Sequence, residues 1–437
     1  MRDLLDLTLS EARRLGADEA LASYRRTRRL RAVVKNDEVR QATQTVERAV
    51  HVAVIVGKRL ATSSTTEVTA DDVRRSVETA IRLARASKPN EHWSGLPEPQ
   101  PLPKVSGLYD RRVESVSAGE VVEMAWSAVE RAREFDARVS VVDGLVEVTV
   151  ADHFLATSKG FYGEDKGTVV WGYLTAIAKE AGEVGSFSFA VEAGRSLDVD
   201  FVRMGEKAAR LAVESLRAKP VESFEGTLVV SPEVALDFFS ALASAYRADN
   251  VWKGSSPLAG KLGEQVVHES LTVKDSGVVE DGVMSSLFDA EGSPRRETVV
   301  IEKGVLKRYI SNTYVANVLG IEATGNASSL LDVAPTNTLV APGDMSTEEL
   351  LEGVKRGIYV RRFSGDVRFQ DGVVSGVAKQ AFYVENGEIK HPVVGCMISG
   401  NLYEMLRNVS GASKEVERVL NVYAPTLRIE KVNIVGK

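Results

Sequence analysis

Residues 288–328 constrain the fold of this chain more than any other stretch of it. They begin with the polar turn FDAEGSP, in which Gly292 and Pro294 favour a tight reversal of the backbone. The segment TVVIEKGVLKRYI that follows contains two short β-branched runs on either side of Lys303 and Gly304. This pattern predicts a β-hairpin.

A short helix is predicted directly after the hairpin. Asn312 and Thr313 are residue types that cap a helix, and Gly320 follows Leu319 as a helix-ending residue. The string TGNAS then returns to a loop, where glycine and asparagine tolerate left-handed backbone. A charged hairpin followed by a helix is ordinary architecture and does not by itself indicate a function.

The length and composition of the chain limit the folds and functions that are possible for it. A chain of 437 residues is too long for one typical core, so we expect two domains. The net charge of −6 gives no general attraction to a polyphosphate, which makes nucleic-acid binding an unfavoured function. The single cysteine, Cys396, excludes an intrachain disulfide, and no apolar run approaches the length of a membrane span. We therefore expect a soluble cytoplasmic protein.

The order of elements predicts an α+β fold in two parts. The plan of helix, several strands and helix occurs twice in the N-terminal domain, residues 1–222. The repeats, 1–90 and 106–218, share no evident sequence identity, so a structural duplication is only a candidate interpretation. Residues 223–437 contain many short strands and few long helices, which predicts a β-rich, barrel-like or two-layer C-terminal domain.

Five arginines stand close together in the first predicted strand. In an extended strand they fall on both faces, and acidic residues flank them at both ends. A solvated strand surface is therefore favoured over a nucleic-acid interface. The five are Arg25, Arg26, Arg28, Arg29 and Arg31.

Three strings within residues 288–328 carry a family resemblance. The turn FD-x-EG, the run IEKGVLKRYISNTYVA and the loop TGNA occur in this order. Together they resemble the TldD/PmbA family, historically labelled modulators of DNA gyrase, and within it the PmbA/TldE-like branch. The resemblance implies a non-catalytic subunit that joins a TldD-like zinc peptidase in a dimer acting on unfolded peptides. It also implies that the zinc belongs to the partner and that this chain carries no cofactor.

The zinc motif of the TldD-like chains is absent at its expected place. That motif is a helical His-Glu-x-x-x-His, whose histidines hold Zn²⁺ and whose glutamate activates water. The corresponding segment, 231–247, contains no histidine. The His268-Glu269 pair is followed by Thr272 and Val273 where a second histidine would stand, and the tail segment lacks the family's cysteine. We therefore assign no catalytic and no metal-binding residue to this chain.

Loops with free polar groups are the candidates for peptide binding. Three other interpretations stay open: a homodimer that binds peptides or a small ligand, a hydrolase with an unrecognised site involving His268, His391 or Cys396, and a protein partner of the gyrase type. Self-association and pairing with a TldD-like chain are likewise both open. The residues that we expect to line a shared peptide cavity are Ser255, Ser256, Asp289, Gly292, Gly325 and Asn326.

Overall fold

The structure is a computed structural model that describes residues 1–436. The first half of the chain combines one large sheet with five helices. Its helices are α1 (Arg2–Arg14), α2 (Ala70–Ala86), α3 (Arg111–Ser115), α4 (Ala118–Phe135) and α5 (Phe201–Glu214). Its strands are β1 (Glu19–Lys35), β2 (Glu38–Val56), β3 (Arg59–Thr65), β4 (Val139–Thr157), β5 (Tyr162–Glu180), β6 (Glu183–Val184) and β7 (Ala190–Gly194).

The first sheet is antiparallel and is covered by helices on one face. Its strand order is β3-β2-β1-β4-β5-β6, with β7 paired to β5. Alternate residues of β1, among them Ala22, Leu30 and Val34, are buried against the helices, as the period of two in a strand requires. Helices α1 and α2 pack on one end of this face, and α4 and α5 pack on the other. The opposite face turns toward the second half, where Leu21, Ile55 and Leu155 pack in one apolar cluster with Phe288.

Side chains cap helices of the first half, and Thr69 is the cap that the sequence predicts for α2. The Thr69 hydroxyl accepts the Asp72 N–H at the start of α2. Ser117 and Glu120 form a reciprocal capping box at the start of α4. These bonds satisfy backbone donors that an isolated helix end leaves without partners.

The second half is dominated by strands. Its helices are α6 (Pro232–Ala245), α7 (Ala248–Trp252), α8 (Thr313–Leu319), α9 (Thr347–Glu352) and α10 (Leu402–Arg407). Its strands are β8 (Phe224–Val230), β9 (Val273–Ser276), β10 (Glu297–Glu302), β11 (Val305–Leu306), β12 (Asn337–Val340), β13 (Arg356–Val367), β14 (Val373–Glu385), β15 (Glu388–Val393), β16 (Met397–Asn401), β17 (Val409–Val419) and β18 (Val422–Val435).

Five of these strands close into a barrel. The order β18-β16-β14-β13-β8 returns to its start because β8 also pairs with β18. The sheet continues from β18 through β12 and β9 to the β10–β11 hairpin, which forms around Lys303 and Gly304 as predicted. Helix α6 buries Phe238, Phe239 and Leu242 in the core of this half. The predicted α+β class with a barrel-like second half is confirmed.

Two details of the sequence-based expectation were wrong. The sequence pattern predicts separate strands at 137–151 and 154–158. The structure has one continuous strand there, β4, because its polar residues Asp152 and His153 pair in register with Arg26 and Arg25 of β1. The sequence also predicts Ser231 as the cap of α6. Ser231 does precede the helix, but its hydroxyl donates to Glu233 and does not cap the helix backbone. The division between residues 222 and 223 stays a prediction. No helix within residues 1–436 has the length and apolar character that crossing a membrane requires.

Candidate functional site between the open sheet face and the motif loops

The FDAEG turn is built around the carboxylate of Asp289. Its Oδ1 accepts the backbone N–H groups of Glu291 at 3.0 Å and Ser293 at 2.9 Å. Its Oδ2 accepts the N–H of Ala327 at 2.9 Å. Asp289 is buried, so three backbone donors depend on this one side chain. The carboxylate thereby fixes the turn and joins it to the TGNA loop.

Asn326 holds the TGNA loop from the other side. Its Nδ2 donates to Asp275 Oδ1 at 2.7 Å and to the Ala334 carbonyl at 3.2 Å, and its Oδ1 accepts the Thr324 hydroxyl. Gly325, directly before it, has a φ of 74°, and a Cβ there would lie 2.3 Å from the Pro294 carbonyl oxygen. The loop therefore requires glycine at this position for both backbone conformation and space.

Helix α8 begins as the sequence predicts. The Asn312 side chain accepts the Val315 N–H at 2.9 Å, and the helix ends at Gly320 in left-handed conformation. Glu291 lies at its first turn, where Oε1 accepts the Thr313 N–H at 2.8 Å and the Thr313 hydroxyl at 2.6 Å. Turn, helix and loop thus form one hydrogen-bonded unit.

A cavity of about 410 Å³ separates this unit from the open face of the first sheet. One wall includes Arg25 of β1 and alternate residues of β4 and β5. The other includes residues 283–286, 288–290, 327–328 and 334–336. The side chains with titratable groups that line it are Arg25, His153, Asp165, Arg195, Asp289 and Arg295.

Three of these side chains come from one row across the sheet. Arg25 of β1 is the register partner of His153 of β4, and His153 is in turn the partner of Asp165 of β5. Direct partners on neighbouring strands point to the same face. The motif loop docks on this row: the Phe288 ring lies 5.2 Å from the His153 ring, and the Leu287 N–H donates to Asp165 Oδ2 at 3.1 Å.

Burial and neighbouring charges shift the pKa values of the side chains at this site. Burial, with the nearby Arg25 and Arg295, lowers the pKa of His153 to about 4, so its imidazole is neutral at pH 7. Burial raises the pKa of Asp165. Across the cavity, burial and the neighbouring Asp289 raise the pKa of Glu291 to about 8. The site therefore combines neutral and charged groups in a partly dehydrated space.

Arg195 connects the two halves of the chain. Its guanidinium donates to the carbonyls of Thr168 in the first half and of Gly282, Val283 and Ser285 in the second, at 2.5–3.2 Å. The same group lies 3.4 Å from the Leu108 carbonyl. Carbonyl oxygens compensate part of the cost of burying this charge. Arg195 thereby fixes the loop at 282–285 against the sheet.

Of the six residues predicted from the sequence to line a peptide cavity, Asp289 lies on its wall. Gly292, Gly325 and Asn326 shape the loops behind that wall. Ser255 and Ser256 follow α7, where their hydroxyls donate to the Asn250 and Ala245 carbonyls. A role for these six in peptide binding stays a prediction.

Sequence reasoning did not identify the other wall of the cavity. The arginine cluster did contain a usable signal, because odd-numbered and even-numbered positions of β1 face opposite sides. The pairing of Arg25 with His153 depends on a strand register that joins residues more than 100 positions apart, and no local pattern encodes it. Asp165 joins this row through the register of β5 with β4.

The residues of this chain do not fit the zinc motif. Helix α6 offers Glu233 and Asp237 as its acidic residues, and Glu233 is held by Lys207 Nζ at 2.6 Å. Burial raises the pKa of Asp237 to about 6. Within residues 1–436 no group of three or more His, Cys, Asp or Glu side chains is placed to hold a metal ion.

The other candidate metal ligands, His268, His391 and Cys396, each contact different neighbours. His268 bonds Ser270, and His391 stacks on Tyr383 with ring centroids 5.4 Å apart. Cys396 is fully buried, and burial raises the pKa of its thiol to about 11. A buried thiol of this kind is inert as a nucleophile.

Comparison with protein families gives matches along most of the chain. Residues 20–84 match PmbA/TldA metallopeptidase domain 1, residues 111–216 the central domain, and residues 224–436 the C-terminal domain of the same family. The chain belongs to the PmbA/TldD family. The resemblance seen in the motif strings is therefore confirmed, and the motif loops lie in the C-terminal domain of the family.

Individual members of the PmbA/TldD family match most or all of this chain. Metalloprotease PmbA of Escherichia coli O157:H7 is 25% identical over 100% of this chain and 97% of its own length. A metalloprotease of Methanothermobacter thermautotrophicus is 34% identical, over 63% of this chain and 64% of that protein. The crystal structure of TldE from Thermococcus kodakarensis superposes with a TM-score of 0.92 at 26% identity, covering 99% of this chain and 100% of that one.

Proposed function

We propose that this chain is a PmbA/TldE-like subunit of a zinc-dependent peptidase complex that acts on unfolded peptides. A TldD-like chain carries the zinc and the catalytic residues, and this chain completes the cavity that holds the substrate. The proposal is supported by the TldE structure that this chain resembles and by relatives named metalloprotease, one of them a TldD homologue from Buchnera aphidicola. The complex works in the cytoplasm, where the buried Cys396 stays reduced.

The observation that carries the proposal is the composition of helix α6. A zinc peptidase helix needs two histidines on one face and a glutamate beside them. Helix α6 contains no histidine, and its Glu233 is engaged by Lys207 and by the Ser231 hydroxyl. A glutamate that is ion-paired and hydrogen-bonded in this way is not free to take a proton from a metal-bound water.

The first sheet offers a place for an extended peptide. Strand β2 pairs with β3 only at Val50–Val56, so within residues 1–436 its outer edge at 38–49 keeps unpaired main-chain groups. A groove of about 550 Å³ runs past this edge and is lined by Val46, Glu47, Arg48 and Ala49. Arg25 lines both this groove and the cavity. An unfolded segment can add to such an edge through backbone hydrogen bonds, whatever its sequence.

Peptidase assays on the purified pair test the proposal. The chain is co-expressed with a TldD-like subunit, and cleavage of an unstructured fluorogenic peptide is measured for each chain alone and for the pair. We expect activity from the pair and none from this chain alone. Replacing the zinc-binding histidines of the TldD-like subunit abolishes activity, whereas the combined H268A, H391A and C396A variant of this chain keeps it. Cleavage by this chain alone, lost in that triple variant, would favour an unrecognised hydrolase site.

A further inference from the structure

Arg25 differs from its arginine neighbours on β1, because no bonding partner for its side chain lies within residues 1–436. Arg26 pairs with Asp152, Arg31 pairs with Glu147 at 2.5 Å, and Arg28 donates to the carbonyls of Glu114 and Val116. Within residues 1–436, Arg25 has neither a hydrogen bond nor a carboxylate within 4 Å, and it lines the cavity. Its guanidinium therefore presents unused donors and a full charge to whatever enters.

Arg295 supplies a second guanidinium from the opposite wall. Its Nε donates to the Ser286 hydroxyl at 3.1 Å and its Nη1 to the Gly325 carbonyl at 2.7 Å. The remaining nitrogen, Nη2, has no hydrogen-bond partner in the part of the chain that the structure describes. Burial lowers the pKa of this guanidinium, although nearby carboxylates oppose the shift. Burying a cation with an unused N–H donor costs free energy unless an anion or a water molecule accepts a hydrogen bond from that donor.

The acidic groups of the site do not fill this role. The oxygens of Asp289 accept three backbone N–H groups, and those of Asp275 accept Thr336 and Asn326. Asp165 is bound to the Leu287 N–H. None of the three forms an ion pair with Arg25 or Arg295. Nearby carboxylates act to raise the pKa of Arg295 against the larger effect of burial, but none of them accepts a hydrogen bond from the free guanidinium donors of Arg25 and Arg295.

We propose that this cavity binds the carboxylate group of a peptide, with Arg25 and Arg295 as its donors. Guanidinium groups match carboxylates in a planar, two-bond geometry, which makes them the preferred partners. A cavity of about 410 Å³ suits the end of a peptide or one acidic side chain and excludes a folded domain. The inference rests on the proposed peptide-binding function, which it deepens by defining the bound group.

The carboxylate has two sources, and peptide design separates them. The probes are three fluorescein-labelled peptides of alanine, glycine, serine and threonine: one with a free C-terminus, one with a C-terminal amide, and one amidated peptide containing an internal glutamate. Binding to the full-length chain is followed by fluorescence anisotropy at low salt. A preference for the free C-terminus assigns that group, and a preference for the glutamate peptide assigns an acidic side chain. Either preference supports the proposal.

Arg25→Gln and Arg26→Gln form a matched pair of variants. Both arginines are exposed neighbours on β1, but their side chains point to opposite faces. We expect R25Q to weaken binding of the preferred carboxylate peptide about ten-fold, the scale of one charge-assisted hydrogen bond, and to leave the neutral peptide unchanged. R26Q should match the unaltered chain for every peptide.

Four results would overturn the inference, and they differ in whether the proposed function is overturned as well. Equal binding of all three peptides, or an unchanged R25Q, removes the carboxylate site and leaves the proposed function standing. Binding of no peptide, either to this chain or to its complex with a TldD-like subunit, removes both. Equal losses in R25Q and R26Q would show a general charge effect, which also contradicts a specific site.

Discussion

Asp289 Oδ2 accepts the N–H of Ala327 at 2.9 Å, although 38 residues separate the two along the chain. This bond joins the FDAEG turn to the TGNA loop, which are two of the three strings that carry the family resemblance. The strings belong together because one buried carboxylate satisfies backbone donors in both. The FDAEG turn and the TGNA loop therefore form one hydrogen-bonded part of the cavity wall.

Removing the Asp289 carboxylate should destabilise the protein strongly. In D289A the N–H groups of Glu291, Ser293 and Ala327 lose their acceptor in a buried place. Each such loss costs about 1–3 kcal/mol, so we expect the free energy of unfolding to fall by about 3 kcal/mol or more. Urea denaturation measures this change in the free energy of unfolding. The exposed Asp344 provides the control, and a D289A loss no larger than that of D344A would contradict the account.

Space, and not only backbone conformation, should decide the effect of alanine at Gly325. Gly325 and Gly254 have similar φ values, 74° and 71°, but a Cβ at 254 meets no atom within 4 Å. G254A should cost about 1 kcal/mol from left-handed strain alone. G325A should cost about 2 kcal/mol more, because its Cβ collides with the Pro294 carbonyl. Equal melting temperatures for the two variants would show that the loop can move aside.

The stability of the protein should depend on pH through Glu291. Its pKa is raised from an ordinary value of 4.5 to about 8 in the folded protein, so the folded state holds the proton more firmly. The stabilising contribution is therefore complete below about pH 4.5 and is lost as pH rises toward 8. One group changes the free energy of unfolding by at most about 1.4 kcal/mol per pH unit.

The E291Q variant isolates this contribution. Glutamine keeps the acceptor for Thr313 and does not titrate, so we expect a flatter dependence of stability on pH between 5 and 8 than in the unaltered protein. Denaturation curves at several pH values measure the difference in slope. The exposed Glu348, replaced by glutamine, serves as the control. Parallel curves for E291Q and the unaltered protein would show that Glu291 is ionised throughout.

Local signals in the sequence were sufficient for the ends of helices and for the hairpin. Asn312 and Gly320 bound α8, and Thr69 precedes α2, because capping depends on atoms within a few residues. The break predicted within β4 failed for the opposite reason. Asp152 and His153 look like loop residues, but pairing with β1 holds them in a strand.

The candidate site was predictable only on one wall. The motif loops at 288–293 and 324–327 stood out as unusual strings, and Asp289 among them lies at the cavity. Arg25, His153 and Asp165 come from three strands whose register is set by the whole sheet. Their individual sequence contexts are ordinary, so only the fold brings them into one row.

The zinc content of the purified proteins tests the central claim most directly. Elemental analysis is applied to this chain alone, to a TldD-like subunit alone and to the co-purified pair, after dialysis against metal-free buffer. The account predicts about one zinc per pair and none on this chain alone, because α6 carries no histidine. Stoichiometric zinc on this chain alone would contradict it, and His268, His391 and Cys396 would then be the first ligands to replace.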